Sequence, residues 1–176
     1  MSTKLCHLIF LIAAFDLAAG QNLRRPQVPE AIKAPASEEL VFEAHASGVQ
    51  IYSCQTGADG RPAWVLKAPE AQLSDLHGKV IGRHFAGPTW RHEDGSQVSG
   101  KVAAKVDPED KDAIPWLLVA VTTRSGEGTF SRVTTIQRIH TQGGVAPPAS
   151  DCDGSRQNAE GKRPYRADYF FYAPAK

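Results

Sequence analysis

Short runs of alternating apolar and polar residues, each stopped by a cluster of Gly, Pro, Asp or Ser, recur from Leu40 to the end of the chain. The runs are too short for amphipathic helices, and an alternation of period two buries one face of a strand. Leu40, Phe42 and Ala44 alternate with Val41, Glu43 and His45. Gly48 then reads as a turn, with residues 49–55 as the second arm of a hairpin. Residues 63–67 read as a strand, 69–76 as a turn or two of helix, and 79–85 as the next strand. Residues 89–92 and 98–106 flank Glu93-Asp94-Gly95-Ser96, and Asp-Gly between extended runs signals a hairpin. Residues 114–123 and 129–141 follow, joined by Ser125-Gly126-Glu127-Gly128. The stretch 116–121 is apolar on both faces, as a central strand would be. Residues 142–163 carry no period. Residues 165–173 close the chain as an aromatic strand, with Tyr165, Ala167, Tyr169 and Phe171 on one face and Phe170 and Tyr172 on the other. About eight or nine short antiparallel strands predict an all-β fold, a single-domain β-sandwich or a closed β-barrel.

The first 20 residues have the three parts of a secretory signal: Lys4, the apolar run 8–15, and the small residues Ala18, Ala19 and Gly20. The run falls short of the roughly 20 apolar residues that span a bilayer. Residues 1–20 are therefore expected to be a cleaved signal peptide that leaves no transmembrane anchor, and the protein is expected to be secreted or periplasmic. Cys6 does not follow the small residues, which argues against a lipid anchor. Residues 21–37, with Pro26, Pro29 and Pro35, read as an extended leader into one β-rich domain, 38–176. Two cysteines remain, Cys54 and Cys152, and an even count in an exported chain reads as a disulfide. It would close a loop of nearly 100 residues, for which the chain-entropy estimate is about 4–5 kcal/mol. There is no C-x-x-C pair for thiol exchange. Lys and Arg total 20 against 19 Asp and Glu, a net charge of +1. That balance excludes a basic nucleic-acid binder.

Several local sequences stand out beyond their strand pattern. They are Gly48-Val49-Gln50-Ile51-Tyr52-Ser53-Cys54, the stretch 82–90 ending in Gly87-Pro88-Thr89-Trp90, and Ile114-Pro115-Trp116-Leu117-Leu118. Ile136-Gln137-Arg138, Thr141-Gln142-Gly143-Gly144 and the stretch 165–172 complete the set. Together they resemble the DUF3455 family over about residues 40–172. The resemblance implies an often exported domain and carries no catalytic assignment.

The densest functional-looking segment is 84–96. His84, Trp90 and Asp94 are the candidate ligand-binding residues there: imidazole and carboxylate can exchange protons or bind metal, and Trp anchors recognition. Trp90, beside Gly87-Pro88 and Arg91, reads as the exposed tryptophan, and Trp116 as core. No H-x-H or H-E-x-x-H spacing supports a metal, no motif calls for a cofactor, and no nucleophile elbow is present. Glu70, Glu93, Asp94 and Asp168 are the carboxylates available for glycoside chemistry. Asp168 interrupts an aromatic strand and is expected either to face solvent or to pair with a cation such as Arg138. The sequence thus favours a non-enzymatic exported domain that binds a small-molecule or polymeric ligand or serves the envelope or surface. The alternative is a hydrolase or metal-dependent enzyme around His84, Trp90 and Asp94.

Overall fold

A computed structural model describes residues 23–176; the signal peptide reading and Cys6 lie outside them. Eight antiparallel strands run in chain order: β1 (Glu38–Thr56), β2 (Pro62–Ser74), β3 (Val80–Phe85), β4 (Thr89–His92), β5 (Gln97–Val106), β6 (Trp116–Ser125), β7 (Thr135–Gly143) and β8 (Glu160–Pro174). Each pairs with the next, and β8 returns to β1, so the single sheet closes on itself as a barrel rather than splitting into a sandwich. Closure removes the free edges that an open sheet would present.

Two local expectations are corrected. Gly48 is not a turn but lies within the 19-residue β1. A Cβ there would collide with the Glu70 carbonyl and Ala71 Cα of β2, so glycine permits a close strand approach. Residues 69–74 are not helical but continue β2. Their side chains obey the strand alternation, with Ala71 and Leu73 buried and Gln72 exposed, and pairing to β1 and β3 overrides local propensity.

β1 turns its smallest residues inward. Ala44, Ala46 and Gly48 leave the lumen to Trp90, Phe130, Tyr169 and Phe171, and Phe130 stacks on Phe171 with ring centroids 4.5 Å apart. A second apolar cluster lies on the outside. Ile32 and Ala34 of the leader pack there against Ile139, Phe170 and Tyr172, with Trp116 and Leu118 beside them. Gln137 Nε2 donates to the Ile32 carbonyl at 2.6 Å, and the Arg25 guanidinium lies 5.1 Å from the Tyr172 ring centre while donating to the Pro35 and Glu38 carbonyls. The leader is thus bound to the sheet. Its position explains why 116–121 is apolar on both faces: Leu117, Val119 and Val121 serve the lumen, and Trp116 and Leu118 lie under the leader.

Cys54 at the end of β1 is disulfide-bonded to Cys152, as the sequence led us to expect, with a Cα separation of 5.4 Å. Cys54 N–H also donates to the Ala159 carbonyl, and Asn158 N–H to the Cys54 carbonyl, so the loop before β8 is tied to β1 at both levels.

Candidate functional site

The strand register decides where each candidate side chain points. Leu73 pairs with Gly82, but Ser74 pairs with Val80, so Ile81 is the extra residue of a bulge in β3. The bulge lets Ile81 and His84 both face inward while Arg83 faces solvent. His84 lies across from Trp90 in the β3–β4 ladder, and their rings stack at 4.4 Å with 11° between planes. Tyr169 meets His84 at 5.2 Å and Trp90 at 5.6 Å, edge to face. Trp90 is 2% exposed, so the tryptophan that read as exposed is core. Its neighbours Gly87-Pro88 form a turn and say nothing about the ring, which the alternation of β4 sends inward.

His84 Nδ1 lies 2.9 Å from the Thr89 carbonyl, which can only accept, so Nδ1 carries the proton. Burial pushes the His84 imidazolium down to about 3; the Thr89 carbonyl opposes that shift and the charge of Arg138 adds to it. His84 is a neutral lumen residue. Asp94 is engaged elsewhere. Its Oδ1 accepts from Ser96 N–H at 2.8 Å and Ser96 Oγ at 2.6 Å, and its Oδ2 accepts from Thr129 N–H and Oγ1, both at 2.8 Å. Partial burial works to raise this carboxyl, but the Ser96 and Thr129 donors outweigh it and hold it well below the usual range. Asp94 thereby staples the β4–β5 turn to the loop before β7. The three candidates do not converge on one cleft.

Titratable side chains do converge on the outer face, where β1, β8 and β7 adjoin. Asp168 Oδ1 lies 2.6 Å from His45 Nδ1, and Oδ2 lies 2.7 Å from His140 Nδ1. Asp168 therefore pairs with two imidazoles and not with Arg138, which faces the lumen across from Tyr169. An ionised carboxylate only accepts, so both rings carry a proton on Nδ1. Glu43 stands nearby; burial raises its pKa and Asp168 adds to the shift, while His45 and His140 oppose it. His45, Ser47, Ser74, His140, Gln142, Arg166 and Asp168 line a cleft of about 360 Å³.

His140 is on this face for a local reason. Ile139 already points outward into the leader cluster, so strict alternation would turn His140 into the lumen. The β7–β8 register shifts between Ile139 and Gln142, and His140 adopts a positive φ of 49°. A non-glycine residue there costs on the order of 1 kcal/mol, and bulges re-aim side chains beside sites. His45 was visible in the sequence as the polar face of its strand, and Asp168 as an interruption of an aromatic one. His140 had no such signal, because a bulge leaves no mark in the hydrophobic pattern.

Among the described residues, no group of three or more His, Cys, Asp or Glu is arranged to hold a metal ion. The remaining carboxylates are dispersed: Glu93 pairs with Lys79 at 2.7 Å and Glu70 with Lys162 at 3.9 Å. Among the described residues no helix is long and apolar enough to cross a membrane. The family model that matches the chain is described as a protein of unknown function, DUF3455, and it covers residues 35–173. No curated protein and no solved structure matches the chain.

Proposed function

Because the chain belongs to the DUF3455 family, whose description names no activity, we propose its function from chemistry alone: an exported, non-enzymatic domain that binds a hydroxyl-rich ligand, saccharide in character, in the His45–Asp168–His140 cleft. The observation that carries this reading is the double imidazole–carboxylate pairing inside an open polar cleft. The lining mixes acceptors (the imidazole Nε2 atoms and Asp168) with donors (Arg166) and groups that do both (Ser47, Ser74 and Gln142). A purely anionic or cationic ligand would leave half of these unmatched. Ligand hydroxyls both donate and accept, and so match all of them. Fixing both imidazoles through one carboxylate pre-pays their ordering, which favours affinity. The alternative enzyme centred on His84, Trp90 and Asp94 lacks a shared cleft to work in, and its imidazole is neutral and buried.

Thermal shift against a panel of soluble cello-, chito- and malto-oligosaccharides tests the reading, since a ligand that binds only the folded state raises Tm by mass action. One class is expected to raise Tm, and Asp168→Asn to weaken its binding about tenfold by loosening both rings. No shift with any saccharide, or an Asp168→Asn protein that binds as well as wild type, would overturn it. Release of reducing sugar from a bound oligosaccharide would instead make the Asp168–His pairs a general-base system.

A further inference from the structure

One row of side chains crosses the outer wall, starting at the His45–Asp168–His140 cleft. Arg166 of β8 pairs with Ser47 of β1, Ser47 with Gln72 of β2, and Gln72 with Arg83 of β3. Arg83 pairs in turn with Arg91 of β4, and Arg91 with Gln97 of β5. Residues directly opposite one another share a face of the sheet, so all six stand on the outside. The first five are exposed and Gln97 is half-buried. Neighbouring strands lie about 4.8 Å apart, which puts Arg166 and Arg91 roughly 19 Å apart along the wall. The clefts are continuous along the row. Ser47 lines both the cleft of about 360 Å³ and one of about 890 Å³, and Arg83, Phe85 and Arg91 line the latter and a third of about 460 Å³.

The row carries three guanidiniums and no carboxylate, although the whole chain has 20 Lys and Arg against 19 Asp and Glu. The carboxylates that line these three clefts are already engaged: Asp168 with His45 and His140, Glu70 with Lys162 at 3.9 Å, and Glu93 with Lys79 at 2.7 Å. Arg83, Arg91 and Arg166 make no ion pair among the described residues. Arg83 and Arg91 stand directly opposite each other, and like charges so placed weaken strand pairing. Arg91 is nevertheless held in position. Its guanidinium lies 5.4 Å from the Phe85 ring centre, and its Nε donates to Gln97 Oε1 at 3.0 Å. An anionic group between the two guanidiniums removes the repulsion and gains charge-assisted hydrogen bonds, in a geometry that suits carboxylate and sulfate oxygens alike.

We propose that the ligand of the outer wall is a linear acidic oligosaccharide. Its hydroxyls meet the His45–Asp168–His140 cleft, and its anionic groups, carboxylate or sulfate ester, meet Arg166 and the Arg83–Arg91 pair. Between the arginines, Ser47 and Gln72 both donate and accept, as the hydroxyls of intervening sugars require. The row is longer than one sugar ring, so a chain of several sugars is needed to engage both ends. This proposal rests on the saccharide reading above and adds the charge and the length of the ligand.

The test compares acidic oligosaccharides with their uncharged forms by calorimetric titration of the oxidised protein. The probes are galacturonate and alginate oligomers beside their methyl esters, and carrageenan oligomers beside their desulfated forms, with polyglutamate as an anion without sugar. At least one acidic form is expected to bind about tenfold tighter than its neutral counterpart, with the advantage shrinking at high salt. A preference for the uronates would assign carboxylate, and one for carrageenan would assign sulfate ester. Replacing both Arg83→Gln and Arg91→Gln is expected to abolish the advantage, while the Tm of the free protein and the affinity for the neutral form stay unchanged. Asp168→Asn is expected to weaken both forms by the same factor. Neutral forms that bind as tightly as the acidic ones would overturn this proposal and leave the saccharide reading standing; no binding of either would overturn both. An acidic advantage that survives the double arginine variant, or polyglutamate that binds as tightly as the acidic sugars, would also overturn it.

Discussion

His84 faces the lumen because one bulged residue precedes it, and its neutrality follows from that placement. An imidazole whose folded pKa is pushed to about 3 binds no proton between that value and the unfolded value near 6.5, whereas the unfolded chain does. The stability that His84 contributes is therefore fully present above about pH 6.5 and is lost as pH falls towards its folded value. We expect the unfolding free energy from urea titrations to fall between pH 7 and pH 4 with a component of up to about 1.4 kcal/mol per pH unit, and His84→Asn to remove that component. Asp94 has the same sign in a lower window. Its carboxylate is held down by Ser96 and Thr129, so its contribution is present above about pH 4 and is lost as pH falls further. Asp94→Asn is expected to cost about 1–3 kcal/mol at pH 7, with the gap to wild type narrowing towards pH 2 in the same titrations. Residue chemistry was partly legible from the sequence. Asp94-Gly95 was readable as a turn, and Asp168 as an anomaly that either faces solvent or pairs with a cation such as Arg138. Arg138 is not the partner because it and Asp168 stand on opposite faces of the sheet, and His140 joins Asp168 only through its left-handed backbone at a bulge.

At the level of elements, the alternating pattern located most strands and the facing of β8 residue by residue. It failed where an element's role was set by a neighbour. Gly48 has the composition of a turn but is needed for the approach of β2. Gly48→Val would drive a side chain into the Glu70 carbonyl and is expected to abolish folding or cost several kcal/mol, measured as loss of the cooperative thermal transition. The leader was readable as extended but not as bound, since three prolines mark conformation and not contact. Ile32 is fully buried against Phe170 and Tyr172, so Ile32→Ala is expected to cost about 2–5 kcal/mol in chemical denaturation. An exposed tail would lose nothing on that substitution.

At the scale of the whole molecule, the described residues form one closed sheet with an apolar cluster on each side of its wall and, among them, a single disulfide from the first strand to the last loop. Closure follows from the long β1, which pairs with both β2 and β8 along most of its length. That topology was one of two that the strand count allowed, and choosing between them requires the β1–β8 pairing, which no local pattern encodes. The Cys54–Cys152 bridge spans a sequence separation of 98, so replacing both cysteines by serine is expected to cost about 4–5 kcal/mol by the chain-entropy estimate, read from urea midpoints of oxidised and variant protein. At this scale we propose that the molecule meets a ligand on its outer wall, in the His45–Asp168–His140 cleft. The most direct measurement is an amide chemical-shift map of the labelled protein titrated with the oligosaccharide that raises Tm. Saturable shifts are expected to centre on His45–Ser47, Ser74, His140–Gln142 and Arg166–Asp168, with His84, Trp90 and Asp94 unmoved. Shifts confined to those last three, or none at saturating saccharide, would contradict it.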